Sequence, residues 1–145
     1  MVALLDVNLL IALFDATHIH HEEAHLWFAD NRECRWATCA ITENAVVRIL
    51  SNPTYPGRRT TMQDATSRLD RFCGSDQHEF WTDSVSLRNG DRFRLHHVQG
   101  HRQLTDVYLL GLAVENQGRL ATLDASIPLR SVAGAGRANL EAIRS

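Results

Sequence analysis

Short apolar runs along the chain alternate with longer segments of helical periodicity, and this alternation predicts an α/β fold. The runs are largely uninterrupted, which is typical of strands buried on both faces of a parallel sheet. The predicted strands are Val2–Leu5, Arg35–Cys39, Phe80–Val85, Leu120–Leu123 and Leu140–Ile143. Because helical segments separate them, we expect a parallel, twisted sheet with helices on both faces.

The helical segments are bounded by residues that commonly begin or end helices. Thr42 is predicted to cap a helix that runs to Leu50, and Thr105 one that spans Asp106–Gln117. Residues 86–103 should contain at least one short helix, because a compact domain seldom carries so long a structureless connection. The other predicted helices are Asn8–Phe14, His21–Ala29 and Met62–Cys73, the last ended by Gly74.

The composition suits one globular domain, predicted to span residues 1–145. Of the 145 residues 44% are hydrophobic, which excludes intrinsic disorder. The formal net charge of -2 argues against a protein that holds nucleic acid by bulk charge alone. Cys34, Cys39 and Cys73 lack the CxxC spacing, so we expect free thiols and a reducing cytoplasm. No segment reaches the length of a membrane span.

Four acidic residues fall where such a fold gathers its functional groups. Asp6 and Asp124 directly follow predicted strands, and ligands of open α/β sheets bind beyond strand carboxyl ends. Glu43 and Asp106 begin two buried helices whose amino ends should face the same way. Helix capping or a turn explains any one of these acids by itself. Together they would repel one another, by about 4 kcal/mol per close pair at an effective dielectric of 20.

A cluster of carboxylates of this kind needs a cation to neutralise its charge. Oxygen ligands favour a hard ion, Mg²⁺ with Mn²⁺ as a substitute, over zinc. The corresponding chemistry is metal-assisted hydrolysis of a phosphodiester. The predicted metal ligands and catalytic residues are Asp6, Glu43, Asp106 and Asp124.

The segments around these acids resemble a known family. They are LLDVNLLIAL around Asp6, ITENAVVRIL around Glu43, QLTDVYLLGLA around Asp106 and LATLD ending at Asp124. In order and spacing they are similar to the PIN-domain ribonucleases, and within these to the VapC toxins of VapBC toxin–antitoxin pairs. The resemblance implies a three-layer α/β/α sandwich and a four-acid Mg²⁺ site, with Asn8 helping to orient the first aspartate. It also implies an RNA substrate, a homodimer and inhibition by a cognate VapB-type antitoxin.

Two other functions are compatible with the sequence. In one, the acids dock a basic partner peptide and the chain is a non-catalytic binding module. In the other, His21, Glu22 and His25 form the H-E-x-x-H signature of a zinc peptidase. A third zinc ligand at recognisable spacing is missing, so we favour a solvated helix face for this histidine-rich stretch.

Two basic segments are candidates for contacts with RNA or with the antitoxin. Arg58 and Arg59 lie in a Pro/Gly loop, and Arg92, Arg94 and Arg102 lie in the stretch that leads to Asp106. Ordinary solvated loop charge is the competing explanation. The three tryptophans, Trp27, Trp36 and Trp81, fall inside predicted elements, which favours core packing over base stacking.

Overall fold

A computed structural model describes residues 1–143 and contains a five-stranded sheet. The strands are β1 (Ala3–Leu5), β2 (Trp36–Cys39), β3 (His78–Trp81), β4 (Arg119–Thr122) and β5 (Leu140–Ala142). Their order across the sheet is β3-β2-β1-β4-β5, and each neighbouring pair is parallel. The prediction of a parallel α/β sheet is confirmed.

Helices connect the strands, as the alternation of patterns predicts. They are α1 (Val7–Phe14), α2 (His21–Asn31), α3 (Ala40–Leu50), α4 (Met62–Phe72) and α5 (Leu104–Glu115). The long connection before α5 contains two short 3-10 helices, Leu95–His97 and His101–Gln103, so the helix expected there is present. Further 3-10 turns span Arg32–Cys34, Leu129–Ser131 and Arg137–Asn139.

The sheet separates two hydrophobic cores. Leu5 and Trp36 face one core, which α1 to α4 complete. Leu4 and Leu120 face the other core, which α5 completes with residues such as Leu109. Side chains of neighbouring strand residues point to opposite faces, so each buried strand serves both cores. The result is a three-layer α/β/α sandwich.

The tryptophans and cysteines behave as predicted. Trp36 and Trp81 are buried. Trp27 packs against the first core, and its indole N–H donates to Glu141 Oε2 at 2.8 Å. The three cysteines are free thiols. None of these tryptophans is displayed for base stacking.

Two predicted helix caps are wrong. Helix α3 begins at Ala40, so Thr42 lies in its first turn, where its hydroxyl accepts the Cys39 N–H at 3.0 Å. Helix α5 begins at Leu104 and ends at Glu115, so Thr105 lies inside it and caps nothing. The physical reason is the 3-10 turn before α5, since the His101 carbonyl already accepts the Leu104 N–H.

The third strand also differs from its prediction. It spans His78–Trp81 rather than Phe80–Val85, and its register pairs His78 with Trp36 and Trp81 with Cys39. β3 lies at an edge of the sheet, and Phe80 is exposed there. An edge strand tolerates polar residues, so the apolar run was a poor guide to its bounds.

Helix α1 is anchored at its carboxyl end by side chains of other helices. The last carbonyls of an α-helix have no partner within the helix. Here they accept hydrogen bonds from the Asp15 N–H, the ring nitrogens of His21 and His25, and the Arg68 guanidinium; the acceptors are Ile11, Ala12, Leu13 and Phe14. These bonds fix the helix whose other end carries Asp6.

No helix within residues 1–143 is long and apolar enough to cross a membrane.

Gly118 joins α5 to β4 at a point with no room for a side chain. A Cβ there would lie 2.6 Å from the Val2 carbonyl oxygen and 2.8 Å from Trp81 Cη2. The Val2 carbonyl also accepts the Arg119 N–H at 3.0 Å, so it cannot move without disturbing the start of β4. We expect Gly118→Ala to lower the free energy of unfolding by about 1–3 kcal/mol in denaturant titrations.

Gly90→Ala is the matched control, because no atom lies within 4 Å of its Cβ position. It should leave the stability unchanged or slightly higher. Equal effects of the two substitutions would contradict the packing described for Gly118.

Candidate active site: a carboxylate cluster

The strand order places a crevice beside β1 and β4. The chain adds β2 and β3 on one side of β1, and then β4 and β5 on its other side. Ligands of open α/β sheets bind at such a point of reversal, beyond the carboxyl ends of the strands. Asp6 directly follows β1, and Asp124 lies two residues after β4. Both acids therefore flank the crevice, as the sequence predicts.

Asp6 is held rigidly in this crevice. Its side chain is 1% exposed and caps the amino end of α1. One carboxylate oxygen accepts the Val7 N–H at 2.7 Å, and the other accepts the Thr122 hydroxyl at 2.7 Å. Burial raises the pKa of Asp6, the two hydrogen bonds oppose that rise, and the charge of Asp124 adds to it.

Asp106 reaches the same place from the first turn of α5. Burial raises the pKa of Asp106 to about 7, and the charges of Asp6 and Asp124 contribute to the rise. Carboxylates that raise one another's pKa lie close enough to repel. Asp6, Asp106 and Asp124 therefore interact electrostatically around the crevice, and we call these three residues the aspartate cluster.

Thr122 connects the parts of this cluster and is a functional residue that sequence reasoning missed. Its hydroxyl donates to Asp6, accepts from the Asn8 amide at 3.2 Å and accepts the Asp124 N–H at 3.0 Å. Asn8 also accepts the Leu123 N–H at 3.1 Å. Asn8 thus acts on Asp6 through Thr122, rather than by direct contact. The only signal was the position of Thr122 at the end of β4.

Glu43 has different neighbours. It lies in the first turn of α3, as predicted, but its carboxylate accepts the Thr38 hydroxyl at 2.7 Å. Its charge acts on Cys73 and His78, whereas the charges that raise the pKa of Asp106 come from the aspartate cluster. The structure does not place Glu43 beside those aspartates, and its role as a fourth metal ligand stays a prediction.

The donor set of the aspartate cluster fits a hard divalent cation. All its side-chain donors are carboxylate oxygens, which Mg²⁺ and Mn²⁺ prefer. A bound cation would relieve the repulsion by Asp6 and Asp124, which adds to the effect of burial on the pKa of Asp106.

The H-E-x-x-H histidines are engaged elsewhere. His21 Nδ1 lies 2.7 Å from the Ala12 carbonyl oxygen, and His25 Nε2 lies 3.0 Å from that of Leu13. A carbonyl oxygen only accepts, so both ring nitrogens donate, and His25 Nε2 has no lone pair to offer a metal. In the part of the chain that the structure describes, Glu43, Cys73 and His78 instead bring three ligand-type atoms within 4.8 Å of one another and could hold an ion.

The five candidate arginines lie in two segments of the chain that differ in their surroundings. Arg92 forms an ion pair with Glu115. Arg94 and Arg102 are exposed. Arg58 and Arg59 line a cleft of about 670 Å³ together with Arg68, Arg71 and polar residues. The same cleft also holds Asp15 and Asp64, and it lies at the carboxyl end of α1, opposite the end that carries Asp6.

The fold and the aspartate cluster are those of a PIN-like domain, and comparisons with known proteins narrow this class. No family model matches the chain. Ribonuclease VapC44 of Mycobacterium tuberculosis is 45% identical over 143 residues, covering 97% of this chain and 98% of VapC44. Ribonuclease VapC39 of the same species is 41% identical over 92% of this chain and 96% of its own. Ribonuclease VapC38 is 40% identical over 86% of each chain.

The chain therefore belongs to the VapC family of PIN-domain ribonuclease toxins.

The raised pKa of Asp106 predicts a pH dependence of stability in metal-free protein. An acid whose folded pKa of about 7 exceeds its ordinary 3.8 binds its proton more tightly in the folded state. Its contribution to stability is therefore present at low pH and is lost as the pH rises towards 7. We expect the stability difference, wild type minus Asp106→Asn, to fall across this range in denaturant titrations without divalent cations.

The exposed Asp91→Asn is the control, and its difference from the wild type should stay flat. A flat difference for Asp106→Asn as well would show that Asp106 does not titrate in a repulsive cluster.

Proposed function

We propose that the chain is a Mg²⁺-dependent endoribonuclease, the toxin of a type II toxin–antitoxin system. The observation that carries this proposal is the aspartate cluster at the reversal of strand order. Membership of the VapC family supports RNA as the substrate, since the three relatives are named ribonucleases.

Bound Mg²⁺, or Mn²⁺ in its place, would neutralise charge at the scissile phosphate and make water a better nucleophile. Asp6, Asp106 and Asp124 would hold it. Both oxygens of Asp6 already accept hydrogen bonds, so Asp6 is an anchored ligand whose position Thr122 sets. Asp106 is less buried than Asp6, and we propose it as the group that accepts a proton from the attacking water.

Glu43 is the fourth acid that the family resemblance assigns to the metal site. Its carboxylate accepts the Thr38 hydroxyl, and we propose that it turns from there towards the aspartate cluster when the ion binds. Glu43 lies in the first turn of α3, so a change of side-chain rotamer is the simplest way for it to move.

Membership of the VapC family also supports the partners that we propose. They are a cognate VapB-type antitoxin that inhibits the enzyme and a second copy of the chain in a homodimer, in the cytoplasm. Arg58 and Arg59 are proposed to contact RNA phosphates, because the cleft that they line carries two further arginines.

Neutralising either of two aspartates tests the proposed chemistry. Asp6→Asn and Asp106→Asn should abolish Mg²⁺-dependent cleavage of RNA and growth inhibition, because each removes a charged ligand. We choose Asn at position 6 because Asn still caps a helix, whereas Ala would cost about 1 kcal/mol through the lost cap.

Asp91→Asn is again the matched control and should cleave at the wild-type rate. Cleavage by either cluster variant at the wild-type rate would contradict the active-site assignment. Metal-independent binding of RNA or peptide without cleavage would favour a non-catalytic binding module.

Replacing both arginines of the loop tests the proposed RNA contacts. Arg58→Ala/Arg59→Ala should weaken RNA binding, because each lost phosphate contact lowers the slope of log affinity against log salt by about 0.7 for single strands. Binding by a catalytically inactive variant, measured across salt concentrations, checks this.

Arg137→Ala is the matched control. It removes an exposed arginine in the 3-10 turn before β5, which does not line the cleft of Arg58 and Arg59. If the double variant keeps the same slope of log affinity against log salt, Arg58 and Arg59 do not belong to the RNA-binding surface.

A further inference from the structure

A second cluster of ligand-type side chains lies on the face of the sheet that α1 to α4 cover. Glu43, Cys73 and His78 each offer one ligand atom, and these atoms lie within 4.8 Å of one another. The three residues come from the first turn of α3, the carboxyl end of α4 and the first position of β3. We call them the Glu-Cys-His cluster; each is half-buried.

The hydroxyl of Thr38 lies between these three side chains. It donates to Glu43 Oε2 at 2.7 Å, so its single proton is used there. His78 Nε2 is also 2.7 Å from this hydroxyl and must therefore be the donor in that bond. Cys73 Sγ is 4.0 Å away. One buried hydroxyl thus satisfies the cluster when no ion is bound.

The chemistry of the three donors differs from that of the aspartate cluster. A thiolate sulfur, an imidazole nitrogen and a carboxylate oxygen are ligands that Zn²⁺ takes, whereas Mg²⁺ prefers oxygen alone. Around a tetrahedral zinc ion the donor atoms lie about 3.5 Å apart, so the present separations have to close by about 1.3 Å at most. Partial exposure leaves a fourth position for water.

We propose that the Glu-Cys-His cluster is a second metal site, selective for Zn²⁺ over Mg²⁺. On binding, the Cys73 thiol releases its proton to solvent, and the proton of the His78 ring moves to Nδ1, which frees Nε2. Glu43 exchanges the Thr38 hydroxyl for the ion. The site then links α3, α4 and β3 through a single ion.

Occupation of this site has a consequence that rests on the proposed function. Glu43 is the acid that the family resemblance assigns to the Mg²⁺ site, and Zn²⁺ in the Glu-Cys-His cluster would compete with Mg²⁺ for its carboxylate. Zn²⁺ should therefore inhibit RNA cleavage by withdrawing Glu43.

Cobalt(II), a spectroscopic stand-in for zinc, tests the site directly. The full chain with reduced thiols should bind one equivalent and develop a thiolate-to-cobalt charge-transfer band, which Zn²⁺ then removes. Cys73→Ser and His78→Gln should each lose the band, and circular dichroism establishes that each variant is folded. Cys34→Ser, which alters an exposed thiol far along the chain, should keep it.

Several results would contradict the proposal of a zinc site. These are the absence of a thiolate band in the wild type, its persistence in folded Cys73→Ser, or its loss in Cys34→Ser. Loss of the cobalt band in folded His21→Gln or folded His25→Gln would also contradict the proposed site, because the ion would then be bound at α2.

The same variants separate this inference from the proposed function. Asp6→Asn and Asp106→Asn should keep the cobalt band, since neither belongs to the Glu-Cys-His cluster. In RNA cleavage at fixed Mg²⁺, Cys73→Ser should keep basal activity and resist Zn²⁺. A band in a protein that cleaves no RNA would support the zinc site and overturn the proposed function. Mg²⁺-dependent RNA cleavage by a protein that shows no cobalt band would support the proposed function and overturn the zinc site.

Discussion

The mutual repulsion of three carboxylates in one partly buried crevice is the constraint on which the rest of the structure depends. Asp6 is almost fully buried, and burial, together with the charges of Asp6 and Asp124, raises the pKa of Asp106 to about 7. The fold sustains this arrangement by anchoring Asp6 and Asp124 to backbone and hydroxyl donors. Asp6 caps α1 and accepts the Thr122 hydroxyl, and the far end of α1 is bonded to side chains of α2 and α4. The crevice stays open to a cation because the protein, rather than the ion, keeps the carboxylates in place.

Sequence patterns were sufficient for those parts of the site that follow from topology. Asp6 and Asp124 were predictable because parallel strands end at the same edge of a sheet, and Asp106 because buried helices begin there. Thr122 was not, since its role depends on β1 and β4 being neighbours and on the side chains of Asp6 and Asn8 meeting it. Similarly, the surroundings of Glu43 come from segments far apart in the chain.

The H-E-x-x-H stretch illustrates why local spacing can mislead. His21 and His25 lie on one face of α2, as the spacing predicts, but tertiary packing turns that face towards the carboxyl end of α1. The rings serve as hydrogen-bond donors to a helix that lacks partners for its last carbonyls. The observed bounds of α5 and β3 differ from the predicted bounds for related reasons. A 3-10 turn precedes α5, and β3 runs along an exposed edge of the sheet.

The central claim is that the aspartate cluster holds a hard divalent cation, and the dependence of stability on Mg²⁺ concentration tests it most directly. A ligand that binds only the folded state raises its stability by about 2.7 kcal/mol at one hundred times its dissociation constant. The account predicts that the unfolding free energy of the wild type rises with Mg²⁺ at constant ionic strength. It also predicts that Asp6→Asn/Asp106→Asn/Asp124→Asn is insensitive to the ion. An equal rise in both proteins, or no rise in the wild type, would contradict the claim.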